Sequence, residues 1–143
     1  RAAADELVAL ASALGARAMM LAPGQRPCYH AAANLAASGL LAPLHAACQL
    51  WCQAMGSDEQ QAWSALLPLA QGALRAAAAQ GLTGALSGPV ARGDANVVRS
   101  HLHALRGDAA EPLYRAVLAH WIELAAASGR LSSAALAELR ALT

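Results

Sequence analysis

PCYHAAANLAASGLLAPLHAACQLWCQAMGS, residues 27–57, decides the fold, because it holds no Asp, Glu, Lys or Arg and is dominated by Ala and Leu. Pro27 suits the first turn of a helix, where its missing N–H goes unused anyway. A long helix is expected from there to about Met55, bent or interrupted at Pro43, whose ring presses on the carbonyl four residues back, with Gly39 loosening the same point. A membrane span needs about 20 apolar residues, but His30, Asn34, His45, Gln49 and Gln53 punctuate this run and Ala supplies much of its apolar count. It reads as a central buried helix, with no membrane role.

Working outward towards the N-terminus, RAAADELVALASALGARAMML reads as a helix over about 3–14, stopped by Gly15, then an extended run over about 17–21. A lone strand needs partners. Residues 1–24 are therefore expected to be a residual helix and strand, the last edge of a preceding α/β domain. The start at Arg1, already inside a helix, is what a fragment or trimmed product would look like.

Towards the C-terminus, Gly56 ends the long helix and Ser57 or Asp58 caps the next, which runs to about Gln80 before Gly81. Trp63, Leu66, Leu67, Ala70 and Leu74 make its apolar stripe and Pro68 a second kink. GLTGALSGPVARGD, residues 81–94, holds four glycines and a proline and reads as one long irregular segment. Asp94 then caps a helix over about 95–105, Gly107 closes it, Asp108 caps one running to about 127, and Gly129 with Ser132 introduces a last one ending near 142. The fold class is all-α: a bundle of about six helices, two long ones at its centre, with residues 25–143 forming the helical dimerisation and substrate domain.

At 143 residues the chain is long enough for one domain with a real core. Hydrophobic residues make up 57% and charged residues 13%, an apolar balance that implies a partner surface, here a homodimer through the helical domain. The net charge is +1 and all ten cationic side chains are arginines scattered along the chain, which argues against nucleic-acid binding. No lysine is present, so neither a Schiff base nor a lysine general base is available. Three cysteines, an odd number with no secretory segment before them, indicate a cytoplasmic protein without a disulfide framework.

Three constellations could carry chemistry. His30 and Asn34 lie one helical turn apart and so share a face, either towards one ligand, with His30 as acid or base, or as ordinary helix-start residues. In SGPVARGD, Gly88 and Gly93 permit unusual backbone angles and Arg92 could grip a carboxylate or phosphate; alternatively Arg92 pairs with a nearby acid while Asp94 only caps. His45, Cys48 and Cys52 share a face, but a tetrahedral metal site lacks its fourth ligand, and small buried thiols are expected. His101 and His103 point to different faces and cannot act as a pair. GxGxxG, the P-loop, GxSxG and HExxH are all missing from the sequence.

YHAAANLAAS, LLPLAQGALRAAAAQG, GALSGPVARGD, VVRSHLHAL and LYRAVLAHWIELA, in that order and spacing, resemble the C-terminal domain of a family of Rossmann-like bacterial oxidoreductase homologues. That domain is catalogued as of unknown function and is similar in fold to the C-terminal domains of 6-phosphogluconate dehydrogenase and pyrroline-5-carboxylate reductase. The resemblance spans about residues 17–127 and is most specific in GPVARGD and YHAAA. It implies an NAD(P)-binding domain preceding this chain, with these helices forming the dimer interface and one wall of the substrate cleft. It carries Tyr29, His30 and Ser38 in the first helical motif, Gly88, Pro89, Arg92, Gly93 and Asp94 in the loop, and His101 and Leu102 in the next helix. The family usually shows Ser-Asn where this sequence has Ser38-Gly39. By looser analogy with related hydroxyacid dehydrogenases, His30 and Asn34 imitate a catalytic pair one turn apart.

The expected role is thus the dimerisation and substrate-cleft domain of an NAD(P)-dependent oxidoreductase. His30 would relay a proton, Arg92 would anchor a small anionic substrate and His101 would assist. Tyr29, Asn34, Ser38, Gly88 and Asp94 would line the substrate. The alternative is a non-catalytic dimerisation or ligand-sensing module.

Overall fold

Alanine, leucine and unbranched polar residues rank high in helix propensity, and helices account for most of the described residues. The structure, a computed structural model, describes residues 2–143. Among these, the α-helices are α1 Ala2–Ala13, α2 Arg26–Ala36, α3 Leu41–Met55, α4 Glu59–Ala85, α5 Gly88–Arg92, α6 Ala95–Ala104, α7 Glu111–Ala127 and α8 Ser133–Arg140, with a 3-10 turn, Ser38–Leu40, before α3. Among the described residues the fold is all-helical, with eight α-helices where about six are expected. The chain divides into two compact units, Arg1–Leu40 and Leu41–Thr143.

In the first unit no described residue is buried. The expected strand over 17–21 is not formed: residues 16–22 take no regular structure, and no other strand among the described residues offers them a hydrogen-bond ladder. Pro27 does lie in the first turn of α2, but the continuous helix to Met55 is broken at Ala37 (φ −109°, ψ −90°). Pro43 then falls in the first turn of α3, where a missing N–H is no loss, so it starts a helix instead of bending one. Nor is this stretch a buried rod, because α2 has no buried residue and α3 buries Cys48 alone.

The second unit holds the core. Asp58 caps α4 by accepting from the Gln61 N–H at 2.8 Å, while the Gln61 side chain accepts from the Asp58 N–H at 3.3 Å. The helix continues through Pro68 and leaves helical geometry only at Gly81 (φ 74°, ψ 168°), where the sequence stops it, before a further turn to Ala85. Residues 81–94 are not the irregular segment expected, since α5 occupies their second half. Gly93 ends α5 in the left-handed region (φ 72°), and a Cβ there would sit 3.0 Å from the Ala135 Cβ, so this glycine serves both a backbone angle and a close approach to α8. Asp94 follows at once as the cap of α6, accepting from the Val97 N–H at 3.1 Å. GPVARGD is therefore a helix–turn–helix corner.

Ala110, not Asp108, is the N-cap of α7; Asp108 accepts from the Ala110 N–H at 2.8 Å, just outside the helix. Ser132 caps α8 as its sequence indicates. Leu118 and Ile122 of α7, Leu139 of α8 and Val98 of α6 are fully buried, joined by Val90 of α5. Side chains of this size contribute roughly 1.5–3 kcal/mol each on burial, so the core belongs to α5–α8 and not to two long central helices. Among the described residues no single helix is long and apolar enough to cross a membrane.

Candidate functional site

The α5–α6 corner places the end of α4, the start of α5 and the middle of α6 beside α7, whose Tyr114 and Trp121 lie seven residues apart and so on one face. Between them is a cleft of about 400 Å³, with Leu86, Gly88, Pro89, His101, Tyr114 and Trp121 in its wall. Arg130, just beyond α7, donates from Nη2 to the carbonyls of Thr83 (2.9 Å) and Leu86 (3.2 Å). Those carbonyls close α4 and would otherwise be orphaned, so Arg130 fixes the position of the cleft's upper wall.

The polar centre of the cleft is a single contact: His101 Nδ1 lies 2.8 Å from the Tyr114 hydroxyl. The two rings meet edge to face at 6.0 Å, and Tyr114 meets Trp121 in the same way at 5.9 Å. Burial pushes the half-buried Tyr114 phenol above its ordinary range, which keeps it protonated. In the Nε2–H tautomer of His101, the Tyr114 hydroxyl donates to Nδ1; in the other, Nδ1–H donates to the phenol oxygen. On its other flank the same pair borders a second cavity of about 460 Å³ with Leu50 and Leu105. His101 and Tyr114 thus stand as a polar partition between two largely apolar hollows.

Of the residues chosen from sequence, His101 and Gly88 come together in the 400 Å³ cleft. Arg92 and Asp94 belong to the adjoining corner and are not among its lining residues; Asp94 is engaged in capping. Tyr29, His30 and Asn34 share a separate open hollow on α2, with the Tyr29 and His30 rings 5.5 Å apart, and Ser38 begins the 3-10 turn beyond it. His45 lies 3.4 Å from Gln49 across one turn of α3, and Cys48 beneath is buried, its thiol held up mainly by desolvation. Sequence reasoning does not single out Tyr114, Trp121 or Arg130. The seven-residue spacing of the two aromatics is the signal that could find the first two; Arg130 acts across 44 and 47 residues of sequence and leaves none.

The chain matches, over residues 1–120, the family described as Domain of unknown function (DUF2520), and it belongs to that family. No curated protein and no solved structure matches it.

Proposed function

We propose that this member of the family is the substrate-cleft and dimerisation part of an NAD(P)-dependent oxidoreductase. The observation that carries the reading is the His101–Tyr114 contact at 2.8 Å in a cleft that also holds the Gly88–Pro89 turn of the family-like loop. The resemblance of these blocks to the C-terminal domain of Rossmann-like oxidoreductase homologues, a domain similar in fold to those of 6-phosphogluconate dehydrogenase and pyrroline-5-carboxylate reductase, supports it.

The described residues do not fit a dinucleotide. They include no strand, and no glycine-rich turn leads from a strand into a helix N-terminus, the arrangement that cradles a pyrophosphate. The cofactor is accordingly assigned to a Rossmann-like part outside this chain.

The residues of this chain bind the substrate and manage a proton. Leu86, Pro89 and Trp121 accept an apolar body, and the neutral Tyr114 phenol fixes the imidazole through Nδ1. Nε2 of His101 is then the atom that exchanges a proton with a carbonyl or imine substrate. His30 as a proton relay and Arg92 as the anchor for an anionic group belong to the proposal on the family resemblance alone. The exposed leucines of α4, Leu69, Leu74 and Leu82, support a second copy as the dimer partner.

The test uses the full-length protein with NADPH or NADH and a panel of 2-oxo acids and cyclic imines. His101→Ala is expected to lower kcat by about 100-fold or more, the scale of general acid–base catalysis. Tyr114→Phe should distort the pH profile while leaving substrate affinity nearly unchanged. Absence of any dinucleotide binding to the full-length protein overturns the proposal. A monomer at micromolar concentration in sedimentation overturns its dimer part.

A further inference from the structure

Helix α6 carries a second polar face, opposite in character to the His101 cleft. Asn96, Arg99, Ser100 and His103 fall at i, i+3, i+4 and i+7, hence on one side of the helix. At about 100° per residue, the buried stripe of Val98, Leu102 and Leu105 separates that side from His101. Arg106, after the helix, and Arg115 of α7 complete the wall of an open cavity of about 570 Å³. Three guanidiniums and an imidazole thus face one space.

The acid paired with this group is already engaged. Glu111 accepts from the Gly107 N–H at 2.9 Å and from Arg115 Nε at 3.0 Å. Arg115 also donates from Nη1 to the Leu142 carbonyl at 3.2 Å, and Arg99 donates from Nη1 to Asn96 Oδ1 at 2.7 Å. Two of the guanidiniums are therefore held in place, which reduces the entropy lost when they bind something. Arg106 makes no side-chain hydrogen bond among the described residues. The Asn96 amide, with its oxygen occupied by Arg99, has its N–H groups left over.

Helix electrostatics account for part of this arrangement only. Cations near the C-terminus of α6 complement its dipole, which covers His103 and Arg106. Arg99 in the middle of α6 and Arg115 on a different helix lie outside that effect. Their convergence leaves like charges together, and among the described residues Glu111 is the one acid in an ion pair with any of them.

We infer that this cavity is a binding site for a small phosphate-bearing anion, gripped by Arg99, Arg106 and Arg115. Guanidinium forks match the geometry of phosphate oxygens, and several in one place favour a multiply charged group. The volume exceeds that of an inorganic phosphate and leaves room for an organic substituent. Such a site stands or falls apart from the oxidoreductase reading, because testing it needs no dinucleotide and no turnover.

The full chain is titrated with sodium pyrophosphate, with citrate and chloride at matched ionic strength, by calorimetry and by NMR of the arginine Nε–H signals. Pyrophosphate is expected to bind with a Kd of about 1 mM or tighter and to move the Arg99, Arg106 and Arg115 signals. The double variant Arg99→Gln, Arg106→Gln, exposed positions whose helical fold circular dichroism can verify, should weaken binding by about tenfold or more. High salt should weaken it further in the parent protein than in the variant. No arginine signal moving with pyrophosphate overturns the site, as does equal affinity in the double variant. A response to citrate with none to pyrophosphate overturns the phosphate assignment.

Discussion

Residues 2–40 and residues 41–143 are built from the same Ala-rich vocabulary yet stand at opposite ends of helix physics. In the first, α1 shows 66% of Leu7 and 57% of Leu10 to solvent, and no described residue is buried. In the second, Leu118 and Leu139 are 0% exposed. Ala-rich helices of 12 and 11 residues, as α1 and α2 are, lie near the lower limit of autonomous stability in water. The first unit therefore holds its helices by propensity, whereas the second holds them by burial. High helical content alone does not distinguish the two.

The sharpest way to break that contrast is a pair of truncations of equal chemistry. Leu118→Ala removes a fully buried side chain and is expected to cost about 2–5 kcal/mol, whereas Leu35→Ala, 72% exposed in the native chain, should stay within about 0.5 kcal/mol. Urea unfolding measures both: tryptophan fluorescence reads Leu118→Ala, since Trp121 packs against the core of the second unit, and far-ultraviolet circular dichroism along the same titration reads the helices of the first unit for Leu35→Ala. Equal losses would show that Leu35 is covered in solution.

Next in size is a pair of glycines. Gly93 and Gly15 both have φ of 72°, but a Cβ at Gly93 meets Ala135 at 3.0 Å while one at Gly15 meets nothing within 4 Å. Gly15→Ala bears only the left-handed penalty of about 1–2 kcal/mol, felt locally. Gly93→Ala adds displacement of α8 and should approach about 3 kcal/mol of global stability. If the two variants melt alike, the corner does not depend on its contact with α8.

What is legible in the sequence follows the same division. Caps and stops act within a few residues, so Asp58, Asp94, Ser132 and the break at Gly81 can be read locally. The uncharged run 27–57 misleads because lack of charge is not burial: alanine is indifferent to where it lies. In the site, His101 is found through its surrounding block. Tyr114, Trp121 and the three-arginine face arise from the meeting of α6 with α7, which no single segment encodes.

Caps give a smaller contrast. Asp58 closes a capping box on α4, and Asp58→Ala should cost about 1 kcal/mol of the second unit's stability. Gln25 sits at the N-cap of α2 without a side-chain bond, so Gln25→Ala should be close to neutral there. Gln25→Asp should raise helicity in the first unit and leave the urea midpoint of the second where it was. A shift in that midpoint would mean that the two units unfold together.

The smallest effect is read through pH. The Gly107 N–H, and then Arg115, hold the Glu111 carboxyl below its ordinary range. A depressed folded pKa means that ionised Glu111 favours the folded state above the unfolded carboxylate range, and that this contribution is lost as pH falls through the folded value. Glu111→Gln should therefore be less stable than the parent at neutral pH, with the gap closing as the solution is acidified. Glu111 shares Arg115 with the proposed phosphate site, so the same variant removes a competing negative charge while the Leu142 carbonyl still holds Arg115. Pyrophosphate should then bind Glu111→Gln more tightly than the parent at neutral pH, although the protein itself has become less stable. A gap that is constant across pH would show that Glu111 acts only as a packing group at the start of α7.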